Sequence, residues 1–397
     1  MNHGNIVPRE YRIGLAPMEG VTNFPFRLWM NLVSQPTFQG TPFLRVTPTY
    51  PCGMPSQWAP ELFIKGLSES LSYELMPQLM SPDEKNFLKV AQKLLSYTSH
   101  LEINCGCPAP TVVGKGAGSG LLKKIDHFVS FIEACVNELQ PKVLAVKMRT
   151  GFYNDDLFCD LVSGIAHLPL KRITVHARTR EQKYRGKANW DLIGKAASIA
   201  RCPVFASGDI TNGSILKEKF LKYPAISGAI VGRGALRNPW VFAEIREGKS
   251  QAISFGVLQD SLISYALLNE LFISQKDVLF DLCGKFSLND SLGQDPGKWS
   301  ELREVLLKSL KLDYSQLSIS SQSLGRAKLL WNYMRTSLPQ EFFEPKILRS
   351  KSIKEFMTRL AAQHRSYQEM TFSDEIKLQW QDRYDWMFSG ESKQSPP

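Results

Sequence analysis

Nowhere in the 397 residues do about 18 uncharged apolar residues follow one another, so no segment has the pattern of a membrane-spanning helix. The opening MNHGNIVPREYR lacks the apolar stretch of a secretion signal, and a cytoplasmic location is the expectation. Histidine is scarce, at six residues. No second thiol pair or histidine cluster stands at zinc spacing from Cys105-Gly106-Cys107, so no metal is expected. The seven cysteines, at 52, 105, 107, 135, 159, 202 and 283, are odd in number and irregular in spacing. That pattern excludes a disulfide framework and fits reduced thiols. No Gly-rich dinucleotide fingerprint follows the first apolar run, which carries PMEGV instead and weighs against a doubly wound sheet.

What is present is ample core material, with 43% hydrophobic and 22% charged residues, and a net charge of +10 that is unevenly spread. Basic and acidic groups number 30 and 20 in residues 1–250, and 18 of each thereafter. Within that second part, residues 321–368 hold nine basic and three acidic groups, between an acidic 256–320 and an acidic 369–397. The basic segment fits either a polyanion-binding face or a solvated helix surface.

Short apolar, β-branched runs recur through the first 235 residues, at 12–17, 43–47, 73–79, 100–104, 143–148, 172–176, 203–206 and 228–231. Amphipathic stretches at 26–33, 83–95, 126–139, 155–168, 190–201 and 214–222 alternate with them, several opened by Asp, Asn or Ser. Eight strand and helix units predict an α/β fold, a (β/α)8 TIM barrel over residues 1–250. From about residue 251 to 386 the pattern is helical, with helices expected at 255–273, 324–336, 352–363 and 375–386. Residues 276–320, interrupted by glycine, proline and serine, read as an inserted loop or loose hairpin, and 387–397 as a disordered tail.

Polar residues gather at the C-terminal ends of the strands, the catalytic face of a barrel. They are Pro17-Met18, Arg45, Gln78, 104–107, 147–149, 176–178, 207–209 and 232–234. Asn104-Cys105-Gly106-Cys107-Pro108 reads as a thiol exposed on a turn, as catalytic acid or nucleophile, or else as a buried pair of small hydrophobes. Lys147 and Arg149 share one face of their strand, offering cations to an electron-rich ring or to solvent. His176 ends a strand beside Arg178 and Arg180. Ser207-Gly208-Asp209 and Gly232-Arg233-Gly234 follow strands 7 and 8, the usual phosphate position of this fold. With the apolar Pro17-Met18 they make flavin mononucleotide the expected cofactor.

Together these segments resemble the tRNA-dihydrouridine synthases, a flavin-dependent barrel family. The resemblance is carried by APMEGVTNFPFR at 16–27, NCGCP with GKGAGSGLL over 104–122, VKMRTGF at 146–152, HARTREQKYRGKANW at 176–190, ASGDI at 206–210, VGRGAL at 231–236 and GRAKLLWNYMR at 325–335. APMEG with NCGCP is most similar to the subgroup acting on the D-loop uridine at position 16, whereas VTNFPFR is similar to another subgroup. The resemblance implies reduction of the C5–C6 double bond of uridine, with NADPH or NADH as reductant and tRNA as partner to a monomer. It implies Cys107 as general acid, with Cys105 a bystander. Pro17, Met18, Gln78, Lys147, His176, Ser207, Gly208, Asp209, Gly232 and Arg233 are implied as flavin ligands. Asn104 and Arg149 are implied to contact uracil, and Arg178, Tyr184 and Arg185 to lie on the loop that meets tRNA; from its charge, the basic segment 321–368 is expected to grip tRNA phosphate through Arg326, Lys328 and Arg335. The family's Gln-x-x-Gly is Gln78-Leu79-Met80-Ser81 here. A flavin enzyme acting on a free pyrimidine or enone, and a tRNA-binding protein without turnover, are the competing readings.

Overall fold

The computed structural model describes residues 11–49, 54–285, 291–313, 317–338, 345–362 and 369–372. Eight parallel strand positions close into a barrel. They are β1 (Arg12–Leu15), β2 (Phe38–Gly40 and Leu44–Arg45), β3 (Glu74–Met76 and Gln78–Met80), β4 (Leu101–Cys105), β5 (Leu144–Arg149), β6 (Arg172–His176), β7 (Val204–Ser207) and β8 (Gly228–Val231). Closure runs through β1 and β8, where Arg12 pairs with Gly228 and Leu15 with Val231.

Two strands are interrupted where the expectation had them continuous. Pro77 has no N–H for the ladder and splits β3. Opposite it, β2 carries one extra residue, because Gly40 pairs with Met76 and Leu44 with Leu79. Thr41 spans the gap: its N–H donates to Met76 O at 3.1 Å, and its hydroxyl accepts Gln78 N–H at 3.0 Å. β2 therefore begins at Phe38, earlier than the apolar run at 43–47 suggests, and Phe38 packs in the barrel interior with Ala16, Met76, Ala145, Phe205 and Ile230.

The outer helices are α1 (Phe24–Ser34), α2 (Glu84–Leu94), α3 (Ile125–Glu138), α4 (Phe158–Ala166), α5 (Trp190–Ile199) and α6 (Gly213–Lys222). Asp83 and Asn212 cap α2 and α6, each accepting a backbone N–H at 2.8 Å from the residue three positions on. On α1 the Arg27 guanidinium is fully buried against Glu61, with two N–H···O bonds of 2.7 Å.

The C-terminal part is helical, built on α7 (Phe255–Ser274), a 20-residue helix held to the barrel by a 2.8 Å bond from the Trp29 indole to Ser261 O. Residues 276–320, expected as a loose hairpin, hold α8 (Lys276–Lys285) and α9 (Pro296–Leu310). Asp295 caps α9, and its apolar face buries Trp299, Leu302, Leu306 and Leu307. The intervening turn is clamped: Leu292 N–H reaches Leu32 O on α1 at 2.7 Å, and the indoles of Trp240 and Trp299 both donate to Gly293 O at 3.1 Å. The glycine and proline that suggested looseness form the turn and the first turn of a helix. α10 (Ser321–Met334) and α11 (Ile353–Ala361) complete the described helical part, and Ala252–Ser254 pairs antiparallel with Glu369–Thr371. The helix expected at 375–386 and the tail at 387–397 lie outside the described residues. Among the described residues no helix is long and apolar enough to cross a membrane.

Candidate active site

A cavity of about 1050 Å3, counting its open mouth, lies at the C-terminal end of the barrel. Its wall takes residues from seven of the eight strand ends: 16–19, Phe43, Asn104 with 106–108, Lys147 with Arg149, His176 with Tyr184, 207–211, and 230–237 in part. This is where a parallel barrel places its reacting groups.

The two thiols of the Cys-x-Cys part company. Cys105, last residue of β4, is fully buried in the hydrophobic core, and burial pushes its pKa far up. Cys107, two residues on, lines the cavity. Its turn is built by Asn104, whose Oδ1 accepts the N–H groups of Gly106 and Cys107, both at 2.9 Å, and by Ser119, whose hydroxyl donates to Cys107 O at 2.8 Å. Burial raises the Cys107 pKa, with the Ala109 backbone N–H opposing, so the thiol keeps its proton at neutral pH.

Cations dominate the wall from the adjoining strand β5 onward, where Lys147 pairs with Asn104 across the ladder. Burial lowers the pKa of Lys147, opposed by the Glu102 carboxylate. Among the described residues Lys147 has no hydrogen-bond or ion-pair partner, which leaves its ammonium to the cavity it lines. His176 is held neutral by burial, with Arg149 and Lys147 adding to the effect, and its buried Nδ1 has no hydrogen-bond partner among the described residues. The Tyr184 ring meets His176 edge-on at 6.2 Å and lies under the Arg233 guanidinium at 4.4 Å and that of Arg149 at 5.4 Å. Met18 and Pro17 supply the apolar floor.

The ends of β6, β7 and β8 are locked to one another. Arg178 is buried and donates to both oxygens of Asp209, at 2.6 and 2.8 Å, and Asp209 also accepts Ala188 N–H at 2.7 Å. Gly208 has φ +125°, and a Cβ there would meet Ala188 Cβ at 2.9 Å. A Cβ on Gly234 would lie 1.9 Å from Ile210 O, so only glycine lets the β7 and β8 ends approach. Ser207 and Gly232 line the cavity between them, and the buried Thr211 hydroxyl there has no partner among the described residues.

Not every expected residue reaches the cavity. Gln78 is fully buried and spends its amide on Glu102 and Asn104, each at 2.7 Å. Arg149 lines the cavity but gives donors to the carbonyls of Gly106, Thr179 and Lys183. On the helical side, Arg326 donates to Gly20 O, Lys328 to Ser350 O at 2.9 Å, and Arg335 is buried against Asn332 Oδ1 at 2.8 Å. Arg185 and Lys187, which follow the cavity-lining Tyr184 in sequence, are exposed. Sequence reasoning missed Glu19, Phe43, Thr211 and Arg237 as wall residues. Glu19 lies within the APMEG motif and Thr211 directly follows ASGDI, so extending each strand tip by two residues would have found them. Among the described residues no cluster of His, Cys, Asp and Glu is arranged to hold a metal.

Comparison with known proteins bears on this geometry. Residues 14–257 match the dihydrouridine synthase (Dus) family. A probable tRNA-dihydrouridine synthase of Helicobacter pylori is 30% identical over 244 residues, covering 60% of this chain and 70% of that protein. One of Rhodobacter capsulatus is 31% identical over 238 residues, covering 58% and 69%. A tRNA-dihydrouridine(47) synthase NAD(P)(+)-like protein of Oryza sativa subsp. japonica is 30% identical over 269 residues, covering 66% of this chain and 38% of its own.

Proposed function

The chain belongs to the dihydrouridine synthase family, and from that premise we propose that it reduces the C5–C6 double bond of the D-loop uridine at position 16 of tRNA. Cys107 is the general acid, flavin mononucleotide the bound cofactor, and NADPH or NADH the reductant. The observation that carries this reading is that a protonated thiol, an ammonium and an unpartnered imidazole nitrogen share one cavity.

The cavity fits a flavin. His176 Nδ1 and Thr211 Oγ1 are buried polar atoms without partners among the described residues, which cost free energy unless a ligand satisfies them. Pro17 and Met18 offer a flat apolar surface, Lys147 and His176 the polar contacts, and Ser207, Gly208, Asp209, Gly232 and Arg233 the phosphate contacts. Asp209 acts there by holding the β6 and β7 ends together. When bound, the flavin supplies the hydride that reduces uracil C6.

Uracil needs a proton on the neighbouring carbon, and the Cys107 thiol delivers it to C5. Its raised pKa maintains the proton through neutral pH, while a thiolate remains an acceptable conjugate base. Asn104 and Arg149 hold the thiol's turn from either side and offer donors to the ring. The target base lies within folded RNA, so it must be extruded into the barrel mouth. Tyr184, Arg185 and Lys187, on the loop that Arg178 pins, meet the RNA at the rim. Arg326, Lys328 and Arg335 brace the helical part that lies beside it, with phosphate contacts made by Arg326 and Lys328. The protein acts as a cytoplasmic monomer.

The test is to express the chain in a host lacking its own dihydrouridine synthases and to map dihydrouridine in the purified tRNA base by base. Dihydrouridine at position 16 is expected. Modification elsewhere would keep the activity and reassign the target, and none, from soluble flavin-loaded protein, would overturn the reading.

A further inference from the structure

The barrel interior holds an ion pair that the reaction above does not use. Arg172 and Glu102 are both nearly inaccessible, 3.2 Å apart, and the guanidinium also lies over the rings of Phe38 at 4.3 Å and Phe205 at 5.1 Å. Burying such a pair is weak support for stability, because its desolvation offsets its attraction. Its connections suggest another role.

From Glu102 a chain of hydrogen bonds runs to the thiol's turn. Glu102 Oε2 accepts from Arg172 and Oε1 accepts from Gln78 Nε2 at 2.7 Å. Gln78 Oε1 accepts from Asn104 Nδ2 at 2.7 Å, and Asn104 Oδ1 accepts the N–H groups of Gly106 and Cys107. Both ends dictate the same direction: two backbone N–H groups require an oxygen at one end, and a carboxylate requires a donor at the other. Asn104 Oδ1 is then saturated, and the capacity left to this cavity residue is one Nδ2–H.

We propose that Glu102 is a positioning residue, whose two oxygens each accept one donor, from Arg172 and from Gln78, and so hold Asn104 as a donor, and not an acceptor, toward a ring carbonyl in the cavity. The proposal rests on the cavity being the flavin and uridine site. In Glu102→Gln one acceptor oxygen remains for two donors. The charged Arg172 competes best for it, so Gln78 is turned or orphaned, and the conflict passes to Asn104 and the Cys107 turn. Moving the carboxylate one link along, in Gln78→Glu with Glu102→Gln, restores a consistent chain. The amide placed at position 102 would accept from Arg172 and donate to the carboxylate placed at position 78, which would accept from Asn104.

The experiment compares holoprotein of wild type, Glu102→Gln and the double variant, well below their unfolding temperatures. Flavin retention is measured without tRNA, and kcat and KM with tRNA at full flavin loading. Glu102→Gln is expected to lower one of these about tenfold, the worth of one hydrogen bond. A drop in flavin retention assigns the carbonyl to the isoalloxazine, and a drop in kcat with KM little changed assigns it to uracil. The double variant should recover to within about threefold, and it serves alone against wild type if Glu102→Gln does not fold. Wild-type values in folded Glu102→Gln, or a folded double variant impaired about tenfold or more, would overturn the proposal. Should wild type make no dihydrouridine while flavin retention follows the expected pattern, the reaction assigned above fails and the role of Glu102 stands.

Discussion

Replacing each thiol of the Cys-x-Cys separately distinguishes chemistry from packing. Cys107→Ala removes a group from the cavity wall and leaves the turn's backbone bonds intact, since these are made by N–H and C=O groups. Stability should hardly change, while loss of a general acid should slow reduction about 10²- to 10⁴-fold. Cys105→Ala removes a fully buried sulfur. One CH2-sized group is worth about 0.8 kcal/mol, and a cavity of about 20 Å3 adds roughly 0.5 kcal/mol, so this variant should lose about 1.3 kcal/mol and keep its turnover. The assay is anaerobic reoxidation of the reduced flavin by tRNA in a single turnover, beside a thermal melt. The pH dependence follows from the sign of the shift. A thiol acid is active while protonated, and burial raises the Cys107 pKa, so activity should persist above the ordinary thiol value and fall only as pH rises through the raised one. Reduction by Cys107→Ala at near the wild-type rate, or an alkaline limb below the ordinary thiol value, would refute the assignment.

Three further outcomes are expected. Glu61→Gln strips the buried Arg27 guanidinium of its counter-charge and should cost about 3–5 kcal/mol in denaturant unfolding, whereas paired apolar replacement of both should cost far less. Gly208→Ala sets a Cβ against Ala188 at a φ few side chains adopt, and should cost about 1–3 kcal/mol with weaker flavin retention in dialysis. Neutralising the exposed Arg185 and Lys187 should each reduce the slope of log affinity against log salt for tRNA by about 0.7–0.9, and an unchanged slope would remove that loop from the RNA contact.

Much of the barrel could be read from the chain because its signals are local. Asn104, Lys147 and His176 each place a polar residue at or near the C-terminal end of a strand, and all three line the cavity. Lys147 and Arg149, two apart on one strand, share its wall, as the period of a strand requires. What could not be read depends on partners remote in sequence. Nothing in the neighbourhood of Arg178 announces that Asp209 will neutralise it. Arg335 bonds locally, to Asn332 three residues before it, but its burial is visible only in the folded chain. Gln78 occupies the expected strand but is claimed by Glu102 from the next one. The order among the described residues of 276–320 depends on the indoles of Trp240 and Trp299 converging on Gly293, and the Trp240 contact spans 53 residues of sequence.

The seam between β1 and β8 has a consequence for the order of events during synthesis. Arg12 finds its strand partner only when Gly228 exists, so for most of translation the first strand has one bare edge. The same seam supplies Pro17 and Met18 from one side and Gly232 and Arg233 from the other. A chain cut short of β8 therefore lacks Gly232 and Arg233 from the cavity wall, and, on the function proposed above, flavin retained by a preparation reports the chains whose first and last strands have met.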